Sequence, residues 1–365
     1  MITLVPLTGF LGSGKTTTLI SAAIAMQRTG RRVAVITNDL GVDLVDTHLA
    51  RSGLDDVAEV TGGCFCCRFE DLATRVVELV ESGRADTVIA EAAGSCTDLQ
   101  ATVVRPLRRY YGDRVAVAPL TTVVDPLRLE AFTREADRGP ESDLGYLFGR
   151  QLAEADVLAL NKTDLIGAER TAKLEARLAA DYPDALVVPF CATSGAGIDD
   201  LVRAWRNGAA TAERDIDVDY ARYAGASAQL AWMNQALHIT AVGEVFDAAT
   251  WGRAVLRHLS QWCAEAGFLV GHAKVTVRTS AGLAKLSVTE AGAPPRVDRT
   301  AARRIKLGSA VVNARVACPP SALDAAVCAA LAAADAASGT VTNSTQPVSF
   351  RPEYPRPRHR LAAAR

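Results

Sequence analysis

Short apolar runs alternate with longer amphipathic stretches over residues 1–207 of the chain. Runs rich in Val, Ile and Leu are typical of strands, and continuously apolar runs are typical of parallel strands covered on both faces. Apolar residues three or four positions apart are typical of helices. The alternation therefore predicts an α/β domain with a mainly parallel sheet and helices on both of its faces.

The predicted strands of this domain are Thr3–Thr8, Arg32–Thr37, Thr87–Glu91, Val115–Asp125, Val157–Asn161 and Ala185–Phe190. The predicted helices are Lys15–Arg28, Glu70–Ser82, Leu144–Glu154, Glu169–Asp181 and Gly197–Arg206. Residues 208–234 lack clean periodicity, and we interpret them as a linker.

The pattern changes after the linker and predicts a second domain over residues 235–337. Its predicted elements are strand Ala236–Val242, helix Ala249–Ala266, strands Ala273–Arg278, Ala284–Val288 and Ser309–Val316, and helix Pro320–Ala336. That order predicts a small α+β domain of the ferredoxin-like type. Residues 338–365 are rich in Pro, Ser, Thr and Arg, which predicts a disordered tail.

Composition narrows the class of protein. The chain has 365 residues, which favours two domains, and 49% hydrophobic with 22% charged residues is typical of soluble globular proteins. A formal net charge of -1 argues against a nucleic-acid partner. No apolar run approaches the ~20 residues of a membrane span, and no basic segment precedes the apolar Ile2–Leu7. We therefore expect a cytoplasmic protein without a membrane partner.

A phosphate-binding loop follows the first predicted strand. Gly9-Phe10-Leu11-Gly12-Ser13-Gly14-Lys15-Thr16 matches the full G-x-x-x-x-G-K-[ST] pattern, between a strand and a helix. The glycines let successive N–H groups face the phosphates, Lys15 reaches the outer phosphates, and the Thr16 hydroxyl binds Mg²⁺. The nucleotide-contacting residues predicted here are Gly9, Gly12, Ser13, Gly14, Lys15, Thr16 and Thr17.

Lysine usage agrees with this prediction. The chain holds 40 Lys and Arg residues together, of which only six are Lys, and Lys15 is the sole lysine before Lys162. A compact ammonium fits inside a phosphate loop where a forked guanidinium does not.

The segment Asn161-Lys162-Thr163-Asp164 follows an apolar run and resembles the N-K-x-D guanine-reading motif of P-loop GTPases. A carboxylate at Asp164 can accept hydrogen bonds from N1–H and the amino group of guanine, whereas adenine cannot satisfy it. The alternative is a strand-end turn in which Asp164 caps a helix. Cys191 and Ala192, after the last predicted strand, resemble the loop that backs the guanine, with Cys in place of the usual Ser.

Two carboxylates are predicted to face the metal and the γ-phosphate. Glu91 ends a predicted strand, where a Mg²⁺-holding acid is expected, and Gly94 would let a backbone N–H approach the γ-phosphate. Asp39, after the second strand, is a candidate switch acid. Asp125 is either a third acid or a strand-end cap, and we favour the cap.

Three cysteines, Cys64, Cys66 and Cys67, fall within four residues after Gly62-Gly63. Clustered thiolates suit a soft or borderline metal such as Zn²⁺ or Cu⁺, and three ligands are one short of a closed structural zinc site. Cys96 could supply a fourth ligand if the two loops meet. The alternatives are small apolar fillers in a turn, or a redox pair, although the spacing is unusual for dithiol exchange.

Together these motifs resemble the CobW/HypB/UreG-type GTPases, and among them the CobW-like branch. The resemblance rests on GFLGSGKTTT at Gly9–Thr18, GGCFCC at Gly62–Cys67, E-x-x-G at Glu91–Gly94 and NKTD at Asn161–Asp164, in the family's order. It implies a SIMIBI-type P-loop fold and slow GTP hydrolysis. By position it makes Cys64, Cys66 and Cys67 ligands of zinc or cobalt.

The resemblance further implies a metallochaperone that uses its nucleotide cycle to deliver metal to a client metalloprotein, with hydrolysis stimulated by metal or client. The switch segment departs from the family's Asn-Glu-Phe-Gly-Glu, reading Asn38-Asp39-Leu40-Gly41-Val42, and the usual His-rich stretch is missing. The alternatives are a nucleotide-driven activator of a corrinoid or other metallocofactor enzyme, a P-loop small-molecule kinase, and a non-catalytic zinc adaptor. The oligomeric state stays open, and a homodimer is compatible with the sequence.

Overall fold

The computed structural model of the protein describes residues 1–39, 54, 56–136, 141–208, 215–280, 282–300, 304–343 and 347–363, and for Asp39 it describes the main chain alone. Within these residues the chain forms two compact units. The first unit comprises the described residues up to 226 together with those from 354 onward, and the second comprises 227–353.

The first unit is an α/β fold, as the sequence predicts. Its strands are β1 (Ile2–Thr8), β2 (Val33–Asp39), β3 (Val57–Thr61), β4 (Thr87–Glu91), β5 (Val115–Val117), β6 (Thr121–Val124), β7 (Val157–Leu160) and β8 (Leu186–Pro189). Its described helices are α1 (Lys15–Arg28), α2 (Phe69–Ser82), α3 (Arg105–Tyr111, after a π-turn at Gln100–Val104), α4 (Pro126–Ala136), α5 (Asp143–Ala153), α6 (Gly167–Asp181), α7 (Ile198–Asn207) and α8 (Tyr220–Gln229).

The sheet of the first unit has the strand order β3-β2-β4-β1-β6-β7-β8, with β5 also paired to β1, and these ladders are parallel. Strands β4 and β7 are buried along their whole length, as their apolar runs predict. Parallel strands bring their carboxyl ends to one edge, which we call the carboxyl edge. This edge therefore carries the phosphate loop, the three clustered cysteines, Glu91 and Asn161–Asp164, each of which ends or follows a strand.

One predicted strand is divided in two. The sequence predicts a continuous strand over Val115–Asp125, whereas β5 ends at Val117 and β6 begins at Thr121. Pro119 has no N–H to donate and interrupts the ladder between them. The N–H of Leu120 instead donates to the Asp156 carboxylate at 2.8 Å.

The second unit is an antiparallel sheet with two helices. Its strands are β9 (Ala231–Ala241), β10 (Val270–Thr279), β11 (Gly282–Val288), β12 (Arg296–Arg299), β13 (Leu307–Val316) and β14 (Thr340–Asn343), and its helices are α9 (Ala248–Ala266) and α10 (Pro320–Ser338). The sheet order is β12-β11-β10-β13-β9-β14. Without β11 and β12, the order and the two crossover helices are those of the predicted ferredoxin-like fold, and β11–β12 extends it as a hairpin.

Helix α10 is the one described helix whose length and composition would allow it to cross a membrane. The sequence analysis expected no such segment. Its residues Leu323, Val327 and Ala330 are fully buried in the apolar core of the second unit. Spacing of three and four between them is that of a core helix with one packed face.

The predicted linker and tail differ from the structure. Part of the linker, residues 208–234, forms α8 and the start of β9, and residues 209–214 lie outside the described part. Within the predicted disordered tail, Thr340–Asn343 forms β14 on the edge of the second sheet. Residues 354–363 belong to the first unit.

Candidate nucleotide and metal site

The loop after β1 has a conformation that only glycine adopts without strain. Gly9 has φ 138° and Gly14 has φ 97°. A Cβ on Gly9 would lie 2.3 Å from the Val123 carbonyl oxygen, and one on Gly14 would lie 2.4 Å from Asn161 Nδ2. The loop is therefore packed against β6 and the segment after β7, and side chains at these two positions are excluded.

Lys15 lies inside this loop. Its side chain is buried, and its ammonium Nζ donates to the carbonyl oxygens of Gly9 at 2.8 Å and Phe10 at 3.4 Å. These contacts hold the charge in the ring of backbone that α1 follows. A phosphate bound at the N-terminus of α1 would meet this ammonium and the helix dipole together.

Thr16 and Glu91 meet between α1 and β4. The Thr16 hydroxyl donates to Glu91 Oε1 at 2.9 Å, and both side chains are buried. Mg²⁺ prefers octahedral oxygen ligands at 2.0–2.1 Å, whose adjacent oxygens lie about 2.9 Å apart. The spacing of these two oxygens therefore fits two neighbouring positions around Mg²⁺.

Gly94 lies against the phosphate loop, as its position in the sequence suggests. A Cβ on Gly94 would lie 2.6 Å from Leu11 Cδ2 and 3.1 Å from Lys15 Nζ. The backbone of Gly94 is thus beside the Lys15 ammonium, and a side chain at this position would clash with Leu11.

Asn161 joins three segments of the carboxyl edge. Its Nδ2 donates to the Ser13 carbonyl at 2.9 Å, and its Oδ1 accepts from the Ala192 N–H at 3.0 Å. The side chain is buried. It therefore fixes the phosphate loop against the loop after β8, both of which the sequence assigns to the nucleotide.

Lys162 and Asp125 form an ion pair beside the phosphate loop. Lys162 has φ 58°, and its Nζ lies 2.6 Å from Asp125 Oδ2 and donates to the Gly12 carbonyl at 2.7 Å. Asp125 Oδ1 also accepts from the N–H of Leu127 at 2.8 Å, at the start of α4. Asp125 is thus a helix cap that also positions Lys162.

Asp164 is held by the residue that replaces the usual Ser. The Cys191 Sγ donates to Asp164 Oδ1 at 3.2 Å. Asp164 is exposed, whereas Cys191 is buried. The other carboxylate oxygen can accept from a base bound at this edge, so the Cys takes over an orienting contact of the loop.

Three thiols converge in the turn between β3 and α2. Cys64 Sγ lies 2.8 Å from Cys66 Sγ and 3.4 Å from Cys67 Sγ, and Cys66 Sγ lies 3.8 Å from Cys67 Sγ. Tetrahedral zinc with Zn–S bonds of 2.3 Å places its sulfurs about 3.8 Å apart. Small side-chain rotations would therefore give three vertices of a zinc site.

The thiols also set one another's protonation. Hydrogen bonds with Cys66 first, and then with Cys67 and Cys96, hold the pKa of Cys64 well below its usual value. The pKa of Cys66 is raised, chiefly by its hydrogen bond to Cys64. One thiolate shared among neighbouring thiols is a ready ligand for a metal cation.

Asn38 was not predicted as a functional residue, yet it links the cysteine turn to the loop after β4. Its Nδ2 donates to the Gly63 carbonyl at 2.7 Å. Its Oδ1 accepts from the N–H of Phe65 at 3.2 Å and from the N–H of Ala93 at 3.3 Å. Its place at the carboxyl end of β2 was the available signal in the sequence.

Two residues at the end of α5 hold the segment after Gly94 and were also not predicted. Gln151 Nε2 donates to the carbonyls of Gly94 at 3.1 Å and Cys96 at 2.8 Å. Glu154 accepts from the Thr97 hydroxyl at 3.1 Å and is fully buried, which raises its pKa to about 8. Polar residues at a helix end carry no pattern that would reveal this role.

Residues 354–363, which we call the C-terminal strap, lie across the cysteine turn. The Arg356 N–H donates to Cys67 Sγ at 3.3 Å, and the Arg358 N–H donates to the Cys66 carbonyl at 2.9 Å. Arg360 Nε donates to the buried Asp98 at 2.8 Å. This segment was predicted to be disordered, and the prediction is wrong, because main-chain hydrogen bonds fix the strap on the cysteine turn.

The strap ends on neighbouring elements of the same unit. The His359 ring packs on Phe69 and Tyr110 with centroid distances of 5.0 and 5.2 Å. The Leu361 N–H donates to the Ala101 carbonyl at 2.9 Å. The strap thus bridges the start of α2 and the π-turn before α3.

Few contacts are described for Asp39 and Thr17, which were also predicted for the nucleotide site. The side chain of Asp39, and Leu40-Gly41-Val42 with it, lie outside the described residues. Thr17 lies in the first turn of α1 and is partly exposed.

The nucleotide-binding domain of the CobW/HypB/UreG family matches residues 3–189, just over half of the chain. The chain belongs to the CobW/HypB/UreG family. The matched residues include the phosphate loop, the cysteine turn, Glu91 and Asn161–Asp164, so the resemblance seen in the sequence is confirmed.

Curated members of this family are similar to the chain over part of its length. It is 34% identical over 174 residues to the zinc-regulated GTPase metalloprotein activator 1 of Schizosaccharomyces pombe, which covers 45% of this chain and 39% of that protein. It is 32% identical over 212 residues to the zinc chaperone CobW of Pseudomonas aeruginosa, covering 50% and 54%. The chain thus spans about half or less of the curated relatives it matches.

Solved structures of CobW/HypB/UreG proteins are more distant. The zinc-bound YjiA GTPase of Escherichia coli is 19% identical with a TM-score of 0.39, covering 90% of this chain and 98% of that one. HypB of Helicobacter pylori in complex with nickel is 18% identical with a TM-score of 0.38, covering 55% and 84%. The strand order of the first sheet, not these likenesses, defines the fold.

Proposed function

We propose that the chain is a GTP-binding and GTP-hydrolysing metallochaperone, which couples its nucleotide state to the binding and delivery of zinc to a client metalloprotein. Cobalt is the second metal to consider. The observation that carries the proposal is the set of hydrogen bonds of Asn38, which joins the cysteine turn to the loop beside Lys15.

Guanine is the base that this site would select. Asp164 accepts from Cys191 and lies next to Lys162 and Asn161, which hold the phosphate loop. A carboxylate so placed would be satisfied by the N1–H and amino donors of guanine, and adenine would leave it unpaired.

Thr16 and Glu91 would hold Mg²⁺, which when bound neutralises charge on the phosphates during hydrolysis. Lys15 would stabilise the same charge from inside the loop, and Gly94 would present its N–H to the γ-phosphate. Asp39 is proposed as the switch acid. We expect slow hydrolysis that rises when metal or client is bound.

Metal and nucleotide would influence each other through Asn38. Ordering of the Gly94 loop by GTP would change the position of Asn38 and, through its hydrogen bonds, that of Gly63 and Phe65, which flank Cys64. Reciprocity requires zinc to change GTP affinity by the factor by which GTP changes zinc affinity. We place this cycle in the cytoplasm, with neither nucleic acid nor membrane as partner.

The experiment compares full-length wild type with Lys15→Ala, Cys66→Ala and the control Cys328→Ala, an exposed thiol in α10. Bound zinc and the release of phosphate from GTP are measured for each under reducing conditions. Lys15→Ala should lose hydrolysis and keep zinc, Cys66→Ala should lose zinc, and Cys328→Ala should match wild type. Wild-type protein that neither binds zinc nor hydrolyses GTP would contradict the proposal.

An activator of a metallocofactor enzyme, corrinoid-dependent or not, is the second candidate, favoured by the name of the Schizosaccharomyces pombe relative. It would form a complex with a cofactor enzyme without transferring zinc. A small-molecule kinase would instead yield a phosphorylated acceptor, so the GTP assay should follow phosphate into products as well. Size-exclusion chromatography with and without GTP would test for a homodimer.

A further inference from the structure

Cys96 lies two residues after Gly94 and is fully buried. Its carbonyl accepts from Gln151 Nε2 at 2.8 Å, and its N–H donates to the Ala93 carbonyl at 3.0 Å. Two hydrogen bonds therefore hold the main chain of Cys96 in place, and this fixes the position from which its side chain extends.

The Cys96 thiol meets the cysteine turn. It lies beside the thiols of Cys64 and Cys66. Asn38 Oδ1 accepts from Phe65 N–H at 3.2 Å and from Ala93 N–H at 3.3 Å, so one atom ties the two loops together. The contact between the thiols is thus supported by main-chain contacts next to each of them.

Cys64, Cys66 and Cys67 supply three of the four ligands that a tetrahedral zinc site requires. We propose that Cys96 is the fourth ligand, and that the metal site of this protein is a tetrathiolate centre shared between the cysteine turn and the Gly94 loop. This inference rests on the proposed metallochaperone function and specifies its metal site.

The arrangement gives the metal a direct connection to the nucleotide. Gly94 lies against Lys15, with only Ser95 between it and Cys96. Ligand distances at zinc are held within about 0.2 Å, so a shift of this loop of an ångström or more breaks the Cys96 bond. A shift of the Gly94 loop on nucleotide binding would therefore change the number of protein thiolates on zinc from four to three.

A tetrathiolate zinc centre carries a net negative charge, which needs donors around it. The Arg356 N–H donates to Cys67 Sγ at 3.3 Å. N–H donors to a thiolate stabilise its charged form. The C-terminal strap therefore supports the charge of the proposed centre through Cys67.

The test uses full-length protein loaded with Zn²⁺ or Co²⁺ under reducing conditions. The variants are Cys96→Ser, Cys66→Ser and the control Cys328→Ser, each compared with wild type by zinc X-ray absorption and by the thiolate-to-cobalt charge-transfer bands. We expect four sulfur ligands in wild type and in Cys328→Ser, and three in Cys96→Ser. The zinc affinity of Cys96→Ser should fall about tenfold or more, because loss of a residue that only hydrogen-bonds to a metal ligand already lowers metal affinity about tenfold.

Three sulfur ligands in both wild type and Cys96→Ser would overturn the inference while leaving the metallochaperone proposal intact. Wild type that binds neither metal would instead overturn the metallochaperone proposal. Circular dichroism and GTP binding of metal-free Cys96→Ser verify folding. If that variant does not fold, the count of sulfurs in wild type alone decides, because four thiolates at this site require Cys96.

Discussion

The side-chain oxygen of Asn38 accepts a hydrogen bond from the N–H of Ala93, 55 positions later in the chain, at 3.3 Å. The amide nitrogen of Asn38 donates to the Gly63 carbonyl at 2.7 Å. One buried amide thus connects the strand end at β2 to the turn that carries the thiols and to the loop beside Lys15. Loss of this amide should therefore weaken the coupling between the cysteine turn and the nucleotide site.

Asn38→Ala is expected to bind zinc and GTP separately but to lose most of their mutual effect. The reason is that the variant removes the shared hydrogen bonds and leaves both ligand sets in place. Calorimetric titration of GTP with and without zinc measures the effect. Asn234→Ala, a partly buried amide of β9, controls for general destabilisation. An unchanged coupling factor in Asn38→Ala would show that another route connects the sites.

Asp164→Asn is expected to weaken GTP binding about a hundredfold or more, because a site built to accept hydrogen bonds from guanine would present a donor instead. Binding of ATP should stay weak in both proteins. Competition against a fluorescent guanine nucleotide gives the affinities. The exposed Asp184→Asn is the matched control, and equal GTP affinity in wild type and Asp164→Asn would exclude Asp164 as the residue that reads the base.

Glu154 makes stability depend on pH. Burial raises its pKa to about 8, far above that of an unfolded glutamate, so the folded state holds a proton that the unfolded state releases. This contribution to stability is fully present below the unfolded pKa and is lost as pH rises through 8. Between pH 6 and pH 8 the free energy of unfolding should fall by about 2 kcal/mol from this group.

Glu154→Gln should remove that slope, because an amide can keep the contacts to Thr97 and Leu99 without ionising. Denaturant unfolding of metal-free, reduced protein at the two pH values measures it. The difference between wild type and variant cancels the titration of the cysteines. Glu265→Gln, exposed in α9, should keep the wild-type slope, and a parallel slope in Glu154→Gln would contradict the assignment.

Removal of residues 354–365 is expected to expose the cysteine turn. The strap is held by main-chain hydrogen bonds worth about 1 kcal/mol each. Without it, a chelator should take zinc roughly tenfold faster, and metal-free Cys67 should be alkylated faster. A protein lacking only residues 364–365 should behave as wild type. Equal exchange rates with and without the strap would show that it does not cover the metal.

The sequence predicts the carboxyl edge well, because each motif there is a short run of fixed spacing next to an apolar strand. It predicts the strap wrongly. Segments rich in Pro and Arg are usually solvated, and the contacts of Arg356 and Arg358 come from main-chain N–H groups that composition does not encode. Strand β12 is short, exposed and polar, so it gives no apolar signal either.

The sequence did not predict roles for Asn38, Gln151 and Glu154, for a different reason. Each acts through hydrogen bonds to loops distant in sequence, and no local pattern marks such a partner. Cys96 could be singled out as a candidate only because thiols are rare and the E-x-x-G segment fixes its neighbourhood. Its contact with Cys64 and Cys66 required the folded chain.

The position of the strap at the C-terminal end of the sequence has a consequence during translation. Cys67 and Arg356 are separated by 289 positions, so the ribosome completes the cysteine turn long before the segment that will cover it. At about 5–20 residues per second, that interval lasts ~15–60 s. For that interval the cysteine turn lacks the hydrogen bonds that the strap supplies, so a metal ion or an oxidant can approach Cys67 before the strap binds.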